Sequence, residues 1–309
     1  MRRFLIVFFL ILILSTAVSA EMLIPGGQLI GLQLDDGSVT VAGFAREEAK
    51  ASGLQKGDRL LRVDDHPIAC ARDVKNALEK AGKTVALTVL RGEETKKFIL
   101  VPSENGLGLY LRQGTAGLGT VTYYDPDTGA FGALGHGVND SKGQLLSCCE
   151  GSVFSSEPVS VKKGQRGKPG QILGSLHGDD PLGTVRKNVI QGVFGKADFR
   201  PDEPLPVAQP SQVQVGNATI RATVDERGMQ EYSVEILKIY PDSRDRTRNL
   251  LLKITDEALL AATGGIVQGM SGSPIIQDGK LVGAVTHVLV NDPTMGYGIF
   301  IENMLDAAA

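Results

Sequence analysis

Short runs rich in Val, Ile, Leu and Thr recur along the chain from residue 23 to the C-terminus, each bounded by Gly, Pro, Asn or Asp. That rhythm predicts strands joined by turns. In the first third, residues 28–34 read as a loop entering a strand, Asp35-Asp36-Gly37 as a hairpin turn, and residues 38–44 as the second strand. Residues 59–63, 84–91 and 96–101 add three more strands. Two short helices interrupt them. One covers residues 47–52 and stops at Gly53; the other covers 73–81, with Val74, Ala77, Leu78 and Ala81 at helical spacing and Gly82 ending it. Beyond residue 106 the strands continue at 107–113, 117–124, 143–151, 189–195, 212–224, 231–240 and 249–255. Residues 162–181 read as a solvated basic loop and 198–206 as an acidic, proline-dense connection. A last short helix opens with Thr255 or Asp256 as its N-cap, and an almost wholly apolar strand at 281–290 precedes the final one. The pattern is mostly β.

The first twenty residues depart from this rhythm. Arg2-Arg3 precede an unbroken apolar run over residues 4–14, followed by Ser15-Thr16-Ala17-Val18-Ser19-Ala20. Residues 1–20 are expected to be a signal peptide cleaved after Ala20, or an N-terminal anchor at the short limit for a spanning helix. Either way the remainder is expected to be exported across a membrane.

Composition adds limits rather than a function. The 309 residues are 42% hydrophobic, enough for two cored domains. The net charge of −3 comes from 32 basic and 35 acidic residues, well mixed, and carries no nucleic-acid footprint. Cys70 and the adjacent pair Cys148-Cys149 form neither a disulfide framework nor a zinc spacing, so no metal and no cofactor is expected.

The candidate chemistry lies in Gly264-Gly265-Ile266-Val267-Gln268-Gly269-Met270-Ser271-Gly272-Ser273-Pro274-Ile275-Ile276. A tight run of small residues can aim several backbone N–H groups into one space beside a serine hydroxyl, the arrangement that acyl transfer needs. Ser271 is the candidate nucleophile, with the amides of Gly269 and Ser271 as oxyanion hole; an ordinary Gly/Ser-rich turn is the alternative. His136, bracketed by Gly135 and Gly137, can reach from a strand end as the base. His287, sixteen residues after the serine, is its rival, and otherwise a pocket residue with Thr286. Asp256 either caps its helix or steadies the histidine. The run Gly-Met-Ser-Gly-Ser lacks the GxSxG elbow of an α/β-hydrolase.

Two resemblances give these pieces a frame. The run Ser52-Gly53-Leu54-Gln55-Lys56-Gly57-Asp58-Arg59-Leu60-Leu61-Arg62-Val63-Asp64, followed by the helix from Asp73, closely resembles a PDZ domain, here residues 23–103. The resemblance implies a sheet edge that takes a C-terminal or internal peptide as an added strand, with the amides around Leu29, Ile30, Gly31 and Leu32 receiving a carboxylate. Gly135-His136-Gly137, Asp256, the serine loop, and the tail Gly283-Ala284-Val285-Thr286-His287-Val288 with Asn291-Asp292-Pro293-Thr294 resemble the stage IV sporulation protein B (SpoIVB) peptidase family. That likeness implies a chymotrypsin-like double β-barrel serine peptidase over residues 106–309, with Ser271 as nucleophile, His136 as base and Asp256 as orienting acid. Double barrels usually carry the acid near the histidine, which leaves Asp127, Asp140 and Asp198 as alternatives. The family's role implies a forespore-secreted endopeptidase in the space between two membranes. It cuts a membrane-anchored regulatory partner to trigger sigma-factor processing, and also cuts itself, which invites self-association for cleavage in trans. A non-catalytic secreted PDZ adaptor with an inactive protease-like domain is the competing expectation.

Overall fold

The structure is a computed structural model and describes residues 21–103, 106–140, 143–146, 150–177, 180–199, 203–244 and 246–309. The N-terminal segment 1–20 and the Cys148-Cys149 pair lie outside the described residues. No described helix is long and apolar enough to cross a membrane.

The chain begins with β1 (Met22–Pro25) and the long β2 (Leu29–Phe44), and the second half of β2 enters the PDZ unit. There follow α1 (Glu47–Ala51), β3 (Arg59–Val63), β4 (His66–Pro67), α2 (Ala71–Leu78), β5 (Val85–Arg91) and β6 (Glu94–Leu100). Val39, Val41, Leu60, Val63, Val74, Leu87 and Val89 form its core. Asp58 is buried there and receives two 2.7 Å hydrogen bonds from the Arg91 guanidinium. Burial alone would raise the Asp58 carboxyl, but Arg91 and the Gln55 amide hold it below the usual carboxylate range. Cys70 is the half-buried N-cap of α2.

The chain returns along β7 (Leu109–Tyr124), whose first half pairs with the PDZ half of β2 and whose second half pairs with residues 29–34. Then come β8 (Ala130–Ala133), β9 (Glu150–Lys162), β10 (Gln171–His177), β11 (Gly183–Val189), β12 (Gly192–Ala197) and β13 (Leu205–Pro206). The ladder β2–β7–β8–β12–β11–β9 closes back on β2, giving a six-stranded antiparallel barrel. Ile30, Leu32 and Leu34 point into it with Val121, Phe131, Val153, Val185 and Val193, while Gly31 and Gln33 face outward, as a two-residue period requires.

A second closed barrel orders as β14 (Gly216–Thr223), β15 (Met229–Ile239), β16 (Leu250–Ile254), β19 (Asp292–Phe300), β18 (Lys280–Leu289) and β17 (Pro274–Gln277). A short α3 (Glu257–Thr263) precedes the serine loop, and α4 (Ile301–Ala308) ends the chain. The fold is thus mostly β: a PDZ unit and a chymotrypsin-like double barrel.

Several expectations change. Asp35-Asp36-Gly37 does not turn a hairpin, and residues 109–124 are one strand rather than two. Each turn signal becomes a bulge: the β2–β7 register shifts between Leu34 and Val39, opposite Gly114 at φ 66°. A Cβ at Gly114 would lie 1.9 Å from the Leu34 carbonyl oxygen. Residues 29–34, within the stretch expected to form the PDZ domain, pair with β7 and, from Ile30, with β9 in the ladder of the first barrel. Finally, residues 162–181 include strand β10, and residues 189–195 span the turn between β11 and β12.

Candidate active site

Local geometry builds the serine loop first. Asp256 caps α3 and Gly264, at φ 73°, ends it. Gly265, Gly269 and Gly272 then take φ of 130°, 104° and 96°, which side chains rarely adopt. At Gly272 the need is also steric, since a Cβ would lie 2.0 Å from the Thr120 carbonyl oxygen. Most of the loop's amides are already committed: Met270 to Val267, Gly272 to Val285 and Ser273 to Met270. Among the described residues the amides of Gly269 and Ser271 donate to no backbone carbonyl, so both remain available to an oxyanion.

β7 fastens this loop to the first barrel. The Thr120 amide donates to the Ser271 carbonyl at 2.9 Å, and its hydroxyl donates to the Gly269 carbonyl at 2.7 Å. The Thr122 hydroxyl donates to the Gly272 carbonyl at 2.8 Å. Sequence reading missed both threonines. Their alternate positions on a strand 150 residues away offer no local signal.

His136 follows Leu134 and Gly135, both left-handed at φ 70° and 66°. A left-handed leucine costs about 1–3 kcal/mol and persists only where packing over-determines it; here its side chain is buried over Gly119. The His136 Nδ1 lies 2.9 Å from the Gly137 carbonyl. With the proton on Nδ1, that carbonyl accepts it and leaves the Nε2 lone pair open. Desolvation lowers the His136 pKa below the ordinary histidine value, against a smaller upward pull from the Gly137 carbonyl. A neutral ring is the form a general base requires.

Ser271, His136 and His287 line one cleft of about 740 Å³ between the barrels. The Ser271 hydroxyl rests on the Thr286 carbonyl at 3.0 Å, and the two imidazole centroids lie 5.3 Å apart, their planes tilted by 41°. Thr286 itself is buried and hydrogen-bonds the Thr247 and Tyr297 carbonyls at 3.2 Å, so of the two expected pocket residues only His287 faces the cleft.

Two assignments gain no support from the geometry. The Asp256 carboxylate accepts the Leu259 amide at 2.9 Å and the Ser233 amide at 3.4 Å, and it does not line the cleft. Its charge serves the helix terminus, where a carboxylate is favoured. Leu29, Ile30, Gly31 and Leu32, expected to receive a peptide carboxylate, lie in strand β2. They pair with Thr120, Gly119, Leu118 and Gly117 on one side, and Ile30, Gly31 and Leu32 pair with β9 on the other. The ladder therefore uses the amides that a peptide would need. No metal-holding cluster occurs among the described residues.

Two six-stranded antiparallel barrels, with a serine on a glycine loop and a histidine meeting in the cleft between them, define a chymotrypsin-like serine endopeptidase, here joined to a PDZ domain. The profile of the PDZ domain matches residues 27–100, and that of SpoIVB peptidase S55 matches residues 103–305. The chain belongs to the SpoIVB peptidase S55 family. Among solved structures it is similar to the Rv3671c protease of M. tuberculosis. The active form is 16% identical with a TM-score of 0.36, over 63% of this chain and 75% of that one. The inactive form is 15% identical with a TM-score of 0.36, over 62% and 82%. Human heparin binding protein is 14% identical with a TM-score of 0.29, over 57% and 72%. Comparison with curated proteins gives no match.

Proposed function

We propose that Ser271 attacks the peptide carbonyl with His136 as its base and with the Gly269 and Ser271 amides holding the oxyanion. The observation that carries this is the convergence of hydroxyl, imidazole and two uncommitted amides on one cleft. The hydroxyl first swings from the Thr286 carbonyl to the His136 Nε2. The ring takes its proton as Oγ bonds the carbonyl carbon, then delivers it to the departing amine; water reverses the sequence to free the acyl group. A fluorophosphonate should label the parent chain and fail to label Ser271→Ala and His136→Ala. Equal labelling of Ser271→Ala would refute the assignment and favour the non-catalytic adaptor.

We place the PDZ peptide groove against α2 rather than at residues 29–32. A cavity of about 600 Å³ runs between α2 and the first half of β7, lined by Val74, Leu78, Leu107, Leu109 and Leu111, with Gly106 at its end. Leu109–Leu111 pair with β2 along one edge only, and the Leu107 and Gly108 amides have no backbone acceptor among the described residues. An extended peptide adds to the open edge, its C-terminal carboxylate at those amides. A C-terminal peptide library should bind the parent chain but not Leu78→Asp, and amidation of the peptides should weaken binding; equal binding by Leu78→Asp would refute the groove.

The substrate is a membrane-anchored regulatory protein, met after export into the space between two membranes of a sporulating cell; cleavage triggers sigma-factor processing, and the same site cuts a second copy of the chain. The family likeness and the Arg2-Arg3 apolar leader support this. Sporulating cells carrying only Ser271→Ala should accumulate the unprocessed sigma factor. Normal processing in those cells would overturn the role.

A further inference from the structure

The peptide groove and the serine cleft are built on one strand. β7 runs unbroken over Leu109–Tyr124. Its start, at Leu109 and Leu111, walls the groove beside α2. Further along, Ala116, Gly117 and Leu118 line the cleft that holds Ser271, and the Thr120 amide holds the Ser271 carbonyl at 2.9 Å. Among the described residues, 109–119 pair with β2 and with no other strand; pairing with β8 and β1 begins at Val121 and Tyr123. One sheet edge therefore stays open from the groove to the cleft.

Two details suit that edge to an added strand. Ala116 and Gly117 are exposed, and a Cβ on Gly117 would meet no atom within 4 Å. Midway, the Gln113 side chain accepts the Ala71 amide of α2 at 2.8 Å and donates to Asp35 of β2. This fastens α2 to the strand, so the fold and not a linker sets the distance between the two sites.

Direction follows from the polarity of the strand. A carboxylate at the Leu107 and Gly108 amides sits just before β7 begins, so the residues preceding it run antiparallel to β7, toward Thr120. From Gly108 to Leu118 is about ten steps of ~3.3 Å, or ~33 Å.

Resting on the groove and peptidase readings above, we infer that groove and cleft hold one polypeptide. The substrate's own free C-terminus sits in the groove, and the bond cut lies about ten to twelve residues upstream of it. The tail is then on the amine side of that bond. Ser271 Oγ bonds the carbonyl carbon of the substrate's body, the C–N bond breaks, and the tail leaves as the amine with the proton that Oγ gave up. Residues next to the cut are uncharged: among the described residues lining the cleft there is no Asp, Glu, Lys or Arg to pair with a charge brought out of water.

The test uses the full chain and synthetic peptides of random sequence, about 25 residues long and so able to span both sites. Mass spectrometry of the C-terminal products should show a length peak near ten to twelve residues. Amidating a well-cleaved peptide should raise its half-saturating concentration about tenfold or more, with little change in maximal rate, because the anchor supplies only effective concentration. Deleting about three residues between the cut and the carboxylate should weaken cleavage at that bond as much as amidation does, since a chain too short cannot span. Adding about three should weaken it only a few-fold, since a longer chain can loop. Products of no preferred length, equal cleavage of the amidated peptide, or undiminished cutting of the shortened peptide at the same bond would each overturn the proposal. Full activation toward the amidated peptide by a separate free-carboxylate peptide would also overturn it, making the groove an activator site. These arms vary the peptide alone, so none depends on the folding of a variant. Failure of the parent chain to label with fluorophosphonate removes the peptidase reading, and equal binding of free and amidated peptides to Ser271→Ala removes the groove. With both intact, absence of a length preference removes this inference alone.

Discussion

Replacing Thr120 by Val tests whether one strand controls the serine loop. The change keeps the side chain's shape and removes one hydroxyl, which sits 2.7 Å from the Gly269 carbonyl. Thr120 is 1% exposed, so water cannot take the hydroxyl's place. A buried carbonyl left without a donor costs about 1–3 kcal/mol. The loop can regain a partner only by turning the peptide after Gly269, because the Thr120 amide still holds the Ser271 carbonyl at 2.9 Å. That turn would disturb the pair of amides flanking the nucleophile. If the whole cost falls on the transition state, the rate drops between about 5-fold and 150-fold, at 1.36 kcal/mol per decade. The assay is the second-order rate of fluorophosphonate labelling, with a thermal melt on the same sample. Thr120→Ser keeps the hydroxyl and should label within a few-fold of the parent. The reasoning is refuted if Thr120→Val labels and melts like the parent. Thr120→Ser as slow as Thr120→Val would also refute it, since packing of the methyl and not the hydrogen bond would then be the cause.

Three further outcomes are expected. Gly272→Ala puts a Cβ 2.0 Å from the Thr120 carbonyl oxygen and 2.5 Å from the Leu134 amide nitrogen; overpacking and strained φ together cost about 2–6 kcal/mol, so labelling should fall by more than tenfold and the melt should shift downward. With His136 held below the ordinary histidine pKa, its neutral form persists on acidification; labelling should fall only as pH drops through that lowered value, and stability should decline in the same direction, because the unfolded chain takes up the proton first. A labelling midpoint at or above the ordinary histidine value would contradict this. Asp58→Asn removes the charged partner of the partly exposed Arg91 and should lower the midpoint of denaturant unfolding; in the parent, this contribution is present above the unfolded carboxylate pKa and is lost as pH falls through the lower folded value.

Much of the site was legible in the sequence because its signals are local. Glycines at 269 and 272 mark backbone that only glycine tolerates well, and the Gly-flanked His136 stood out for the same reason. Asp256 was also legible, though in two ways: a carboxylate at a helix start reads as a cap or as a catalytic acid. Local pattern cannot choose between them, since the choice depends on what lies across the fold. Asp35-Asp36-Gly37 misled for a related reason. A turn signal and a bulge signal use the same residues, and only a partner strand running past both sides turns the one into the other.

Periodicity and glycine placement were enough to determine a mostly β chain and to mark a candidate nucleophile and base, while the PDZ unit came from a resemblance, because strand alternation and backbone freedom are properties of a few adjacent residues. The tertiary structure decided what depends on pairing over long separations. It made β2 and β7 common to the PDZ unit and the first barrel, and paired residues 30–32 along both edges. It also hung the serine loop from Thr120 and Thr122, and set His287 rather than Asp256 beside His136. Each of these turns on which strand lies next to which, and a strand edge can accept many partners until the barrels close and bury the alternatives.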